Sequence, residues 1–203
     1  MKRVLMACAV AALLLVVSGN VLAGDLCITK VGFNTNGYLS FTPSNPPGAP
    51  FGSPVYGGCV ISIEQLFELS NHLELGYGLE VQFGGTVNIN KYFKGVPVFL
   101  SLYYHPTGID EGGYYFLGRI GFNFYGYYGY DDYYNYYSFR DPMIYGFYYA
   151  MGGGFQISEF PVIRLEAFLS GNNGSEYYYT SPGFTAYTKY TKLTIAIGFG
   201  TVY

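Results

Sequence analysis

The sequence predicts an all-β chain, an eight-stranded antiparallel transmembrane up-and-down β-barrel. Three observations predict it. Only 11% of the 203 residues are charged, while 50% are hydrophobic and 21% aromatic; a typical soluble domain carries about 25% charged residues. No run beyond residue 23 supplies the ~18 consecutive apolar residues of a membrane helix. Large apolar side chains recur at every second position through most of the chain, which on a strand gathers them on one face. The aromatic content excludes disorder, which goes with few aromatics and much charge. A net charge of −3 argues against nucleic acid as a partner.

Residues 1–23 read as a secretory signal peptide and residues 24–203 as one barrel domain. Lys2 and Arg3 precede an apolar run from Val4 to Val17, which Ser18-Gly19-Asn20 ends. Val21-Leu22-Ala23 then offers a cleavage point after Ala23. Ten basic residues less Lys2 and Arg3 leave 8 against 13 acids, a net of −5 for the mature chain.

The strands follow in order. The first, 26–34, has the weakest alternation, and the second covers 58–69. The third, 72–85, puts Leu73, Leu75, Tyr77, Leu79, Val81 and Phe83 on one face, with Glu74, Gly76, Gly78, Glu80, Gln82 and Gly84 on the other. The fourth, 95–105, carries Val96, Val98, Leu100, Leu102 and Tyr104. In the fifth, 114–126, Phe116, Ile120, Phe122 and Phe124 oppose Arg119, Gly121 and Asn123. The sixth spans 143–158, with Gly146, Gly152, Gly154 and Gln156 on its small face. The seventh, 161–170, alternates Ile163, Leu165, Ala167 and Leu169 with Arg164 and Glu166. The eighth, 184–203, places Leu193, Ile195, Ile197, Phe199 and Tyr203 together. Ser70-Asn71-His72, His105–Gly113 and Ser158–Pro161 are short breaks. Residues 34–57, 86–94, 126–142 and 171–183 are long ones, so short and long connections alternate.

The small face lacks the Lys and Glu density that would solubilise it, whereas the apolar face is continuous over at least six strands. Turned outward, the apolar face suits lipid. Turned inward, glycine and a few charges suit the narrow interior of about eight strands. Strands of ~9–11 residues can cross a bilayer if the sheet closes, and short turns at one end with long loops at the other fit that architecture.

On these features the chain resembles the small bacterial outer-membrane barrels of the outer-membrane protein A and X type. The residues carrying the resemblance are SNHLELGYGLEVQF (70–83), VPVFLSLYY (96–104), YYFLGRIGFNF (114–124), GFYYAMGGGFQI (146–157) and LTIAIGFGTVY (193–203). The resemblance implies residence in the bacterial outer membrane, both termini in the periplasm and four loops outside the cell. It implies that Leu193, Ile195, Ile197, Phe199 and Tyr203 form the segment read by the barrel-assembly machinery; Thr201 departs mildly from that pattern. The implied partners are outer-membrane lipids, that machinery and an unidentified extracellular ligand.

Six charges fall on the inward face: Glu64, Glu80, Arg119, Arg164, Glu166 and Lys192. Unpaired charge in a dry interior is costly, so these residues are expected to pair and close the lumen. Arg119 has three acids at comparable depth, Glu64, Glu80 and Glu166. Residues 125–139 hold eight tyrosines, of which Tyr130, Tyr133, Tyr134, Tyr136 and Tyr137 are expected in an extracellular interaction loop, since tyrosine gives contact area at low entropy cost.

No catalytic group, cofactor or metal site is expected. Gly152-Gly153-Gly154 lacks the Lys-Ser/Thr of a phosphate loop and reads as close packing across the lumen. His72 and His105 fall at short turns and read as water-exposed. Cys27 and Cys59 begin successive strands at opposite ends, on the order of 25 Å apart at ~3.3 Å per residue, beyond disulfide reach. The expected role is structural or surface-interactive. The alternatives are a narrow pore and an outer-leaflet lipid-modifying enzyme; the second is disfavoured because no histidine falls at the outer edge.

Overall fold

The computed structural model describes residues 26–35, 37–45, 51–88, 91–129, 144–159, 161–178 and 184–202. These residues form ten strands: β1 (Leu26–Asn34), β2 (Gly37–Asn45), β3 (Phe51–Val55), β4 (Gly58–Ser70), β5 (Leu73–Asn88), β6 (Lys91–Tyr104), β7 (Gly113–Gly129), β8 (Ile144–Glu159), β9 (Val162–Tyr178) and β10 (Phe184–Val202). The proposed leader lies outside the described residues.

Eight strands make the barrel. Neighbours pair antiparallel in the order β1, β4, β5, β6, β7, β8, β9 and β10, and β10 returns to pair with β1. The architecture is therefore the expected closed eight-stranded antiparallel sheet. Closure leaves no open barrel edge at this level, which is what a strand-built membrane span requires.

The two extra strands correct the expected long loop over 34–57. Asn34 lies opposite Gly58 across β1 and β4, and Val55 lies opposite Gly37, three residues on along each chain. The register is thus unbroken, and β1–β2 with β3–β4 is one long hairpin interrupted at residues 35–36 and 56–57. β2 continues along β10, where the register steps by one residue between Asn34↔Thr194 and Tyr38↔Thr191. The cause is a bulge, which lets a strand bend without losing its partner. β3 pairs with β2 alone. Pro54 has no N–H to donate, which suits an edge position. The other long connections are also shorter than expected, because β5, β7 and β9 run to Asn88, Gly129 and Tyr178.

The alternation sorts the faces as the period-two pattern requires. Phe122 and Met151 are each 69% exposed and Phe33 68%, whereas Glu80 and Arg119 are 1% exposed. Ile195 and Phe199 point outward and Leu79 is half-exposed. The molecule is inverted relative to a soluble barrel: its widest apolar surface is outside and most of its described charges are inside.

Two short turns are laced together at one end. His105 N–H donates to the His72 carbonyl at 2.8 Å, and Ile109 N–H to the Asn71 carbonyl at 2.8 Å. The 105–113 turn packs on residues 71–72, and its Gly108, Gly112 and Gly113 adopt φ of 107°, 64° and 92°, a region glycine enters without steric penalty. The inward alternation of β6 runs on past its end, through Ser101 and Tyr103 to His105, which corrects the reading of His105 as water-exposed. His105 has no exposed surface, while His72 is exposed. Cys27 and Cys59 are both free thiols. Cys59 lies opposite Phe33, six residues along β1 from Cys27, about 20 Å at the usual strand rise.

Candidate functional site: the charged lumen

Glu64, Glu80, Arg119, Arg164, Glu166 and Lys192 all lie inside the barrel and all are buried. They do not form one network. The structure divides them into two clusters stacked along the barrel axis, and it adds Lys30, Glu74 and His105 to the titratable set.

The central cluster is built around Lys30 on β1. Its ammonium donates to Glu64 Oε2 at 2.7 Å, Tyr103 Oη at 2.7 Å and Glu166 Oε1 at 2.6 Å. An ammonium has three N–H donors, and here each has an acceptor on a different strand. Tyr103 Oη donates onward to Glu64 Oε2 at 2.7 Å, and Tyr115 Oη to Glu166 Oε1 at 3.0 Å. Arg119 Nη2 donates to Glu64, Glu166 and Tyr103 at 3.2, 3.1 and 3.1 Å. The Arg119 guanidinium also sits between two rings, 4.8 Å from the Phe99 centroid and 4.5 Å from that of Phe168. Rings hold a guanidinium by its faces and leave its edges free for carboxylates.

Glu80 is held less closely. Its oxygens lie 3.9 Å from Arg119 Nη1 and 3.6 Å from Lys192 Nζ, and its short bond is from Gln82 Nε2 at 2.6 Å. Arg119 therefore meets all three acids placed at its depth, but Glu64 and Glu166 are its hydrogen-bonded partners. Lys30, Arg119 and Lys192 balance Glu64, Glu80 and Glu166.

The second cluster lies toward the short turns. Arg164 Nη2 reaches both oxygens of Glu74 at 2.9 Å, and Arg164 Nε donates to Gln156 Oε1 at 2.9 Å. His105 Nε2 is 2.8 Å from Glu74 Oε2. Arg164 lies over two adjacent rings, 5.4 Å from the Tyr103 centroid and 5.2 Å from that of Tyr115. Tyr103 and Tyr115 thus serve both layers, with faces toward Arg164 and hydroxyls toward the central carboxylates. Gly154 makes room for this: a Cβ there would collide with the Tyr115 hydroxyl and the Leu165 carbonyl. The glycine run is packing space as expected at Gly154, whereas Gly153 lies on the outward face beside Met151 and Phe155.

The sequence reading passed over Lys30, put Glu74 on the small face without counting it among the paired charges, and took His105 for a water-exposed residue. A count of inward charge contained the signal for Lys30. With Glu74 added there are four acids against Arg119, Arg164 and Lys192, one base short. No group of three or more His, Cys, Asp or Glu residues among the described residues could hold a metal ion.

Of the terminal segment, Ile195, Ile197 and Phe199 point outward and Leu193 is half-buried; Tyr203 lies outside the described residues. So do Tyr130, Tyr133, Tyr134, Tyr136 and Tyr137.

No family model and no curated protein matches the chain in sequence. Solved structures match it in fold. The attachment invasion locus protein Ail of Yersinia pestis superposes with a TM-score of 0.51 at 10% identity, covering 88% of this chain and 99% of Ail. Ail in complex with the heparin analogue sucrose octasulfate gives the same TM-score and coverage at 12% identity. Neisserial surface protein A gives a TM-score of 0.50 at 11% identity, with 86% and 96% covered. With closure, outward apolar band and buried charge in place, the chain has the fold of the small eight-stranded outer-membrane β-barrels.

Proposed function

We propose that this protein is a structural, surface-presenting barrel of the bacterial outer membrane. Its lumen is closed by ion pairs, it carries no catalytic centre, and both its termini lie in the periplasm. The observation that carries the reading is the Lys30 knot. Side chains from β1, β4, β6, β7 and β9 meet inside the barrel at 2.6–3.2 Å, and Arg119, Phe99, Phe168 and Tyr103 fill the same level. Opposite charges that balance and pair across the lumen support a plug better than a conduit. The external ligand would be met by the Tyr130–Tyr137 loop. That a barrel of this fold has been seen with a heparin analogue is in keeping with such a role.

Reconstitution in planar bilayers tests the plug. The expected record is flat, without unitary steps, between pH 5 and 8. Resolved openings in the parent protein would replace the plug with the pore.

The same reading makes β10 the segment that the assembly machinery engages and the last strand to close. Phe199→Asp puts a carboxylate on the outward face, at a cost of ~1–4 kcal/mol that depends on depth. Membrane fractions should contain much less of this variant than of Phe199→Leu. Equal amounts of the two would remove β10 from that role.

A further inference from the structure

The lumen has a third polar layer, on the far side of the central cluster from the short turns. It begins where β5, β7 and β9 run on past Glu80, Arg119 and Glu166 to Gln82, Asn123 and Asn172. These three amides are 1%, 0% and 0% exposed. The registers set them around the inner wall. Gln82 lies opposite Gly95 on β6, Asn123 opposite Gly146 on β8, and Asn172 opposite Tyr148 on β8. Gly95 and Gly146 face inward and put no side chain beside Asn123. A Cβ on Gly95 would stand 3.0 Å from Gln82 Oε1 and 3.2 Å from Asn123 Nδ2, so these two amides converge over a position that glycine keeps open.

The amides are buried without partners. Neither Nδ2 nor Oδ1 of Asn123, neither atom of the Asn172 amide, and not Gln82 Oε1, has a hydrogen bond among the described residues. Asn34, inward on β1 at the same end, differs: its Oδ1 accepts from Thr194 Oγ1 at 2.9 Å. Buried polar groups are nearly always bonded, and exceptions call for a partner from outside the chain. The charges just beneath are matched already, with Glu80 lying 3.6 Å from Lys192 and 3.9 Å from Arg119. The Tyr148 ring packs on Phe99, 5.7 Å between centroids, and gives the layer an apolar side.

We infer that this layer binds a small neutral polyol. Nitrogen and oxygen are both free on Asn123 and on Asn172, so the occupant must accept and donate, as a hydroxyl does. It carries no net charge, because a further charge would go unpaired in this interior. A hydrocarbon would leave the amides as they are. An eight-stranded barrel has room inside for one small ligand. The inference rests on the reading that the central cluster closes the lumen below and that the long connections face outside the cell, from which the solute enters.

NMR of the folded protein in detergent micelles tests it, with nitrogen-15 in the asparagine side chains and D-glucose and glycerol as the probes. The NH2 signals of Asn123 and Asn172, identified by their loss in Asn123→Leu and Asn172→Leu, should shift saturably with glucose. That of Asn173, exposed on the outer face, should stay still. Each Leu variant should bind glucose about tenfold more weakly, as for loss of a hydrogen-bonding group. Each should also unfold at no lower urea than the parent, because the amide it removes bonds nothing in the protein. Gly95→Ala keeps both amides but crowds them, and should weaken binding severalfold. Gluconate, which adds a charge to the same carbon chain, should bind more weakly than glucose. Signals unmoved by either probe overturn the site, as do glucose binding equal in the parent and the variants, a preference for gluconate, or urea midpoints lowered in both Leu variants. Swelling of liposomes in isosmotic glucose would break the plug reading instead, and leaves the NMR shifts to report on the site.

Discussion

Lys30→Met is expected to lower the urea midpoint of the barrel more than any other single change in the lumen. Methionine keeps the length of the side chain and removes the charge. Glu64 and Glu166 then share Arg119 as their one remaining cation, and Tyr103 loses an N–H donor at 2.7 Å. Stranding a buried carboxylate in this way costs about 3–5 kcal/mol. Lys30→Met with Glu64→Gln restores the balance of charge and should recover more than half of the loss. Unfolding in bilayers or detergent, followed by the mobility shift on boiling, gives the midpoints. If Lys30→Met unfolds with the parent, the carboxylates are hydrated and the cluster does not hold the barrel together.

Arg119 should show the second largest effect, and its pattern of rescue separates its partners. Arg119→Ala removes the ion pairs and empties the space between Phe99 and Phe168, a loss of ~3–5 kcal/mol. Arg119→Lys keeps the charge but neither the planar fork nor the stacking, so it should fall between, at about 1–3 kcal/mol. Glu64→Gln should relieve Arg119→Ala; Glu80→Gln should relieve it little, because Glu80 stands 3.9 Å away and leans on Gln82 and Lys192. Equal rescue by both would mean that the acids share Arg119 evenly, against the hydrogen-bonding seen here.

The fold was legible where one face of a strand is uniformly apolar. On β5, β7 and β10 the outward residues are large and apolar and the inward ones Gly, Glu, Gln, Arg or Thr, so a period of two announces itself. On β1 it does not, because the inward residues include Leu26 and Ile28 while the outward ones include Cys27 and Thr29. Lys30 was hidden in that mixture, although its ammonium bonds side chains on three other strands. His105 was misread for another reason. Pro106, Thr107 and Gly108 spell a solvated turn, but His105 just before them continues the inward alternation of Ser101 and Tyr103 and meets the Glu74–Arg164 pair. The hairpin over residues 37–55 was concealed by its prolines and glycines, which usually mark loops; the register of the neighbouring strands carries it through.

That continued hairpin bears on how the chain closes its ring. Every other neighbouring pair of barrel strands is a hairpin, formed by residues near in sequence. The β1–β10 seam instead joins residues about 170 positions apart, and by loop-closure entropy this costs ~2–3 kcal/mol more than zipping a ten-residue loop. Contacts so remote in sequence also slow folding. β1 alone would offset that entropy with nine residue pairs, from Leu26↔Val202 to Asn34↔Thr194. Because β2 resumes past the bulge, the same seam gains seven more, from Tyr38↔Thr191 to Asn45↔Thr185. The least local contact in the protein is thereby given nearly the full length of its longest strand.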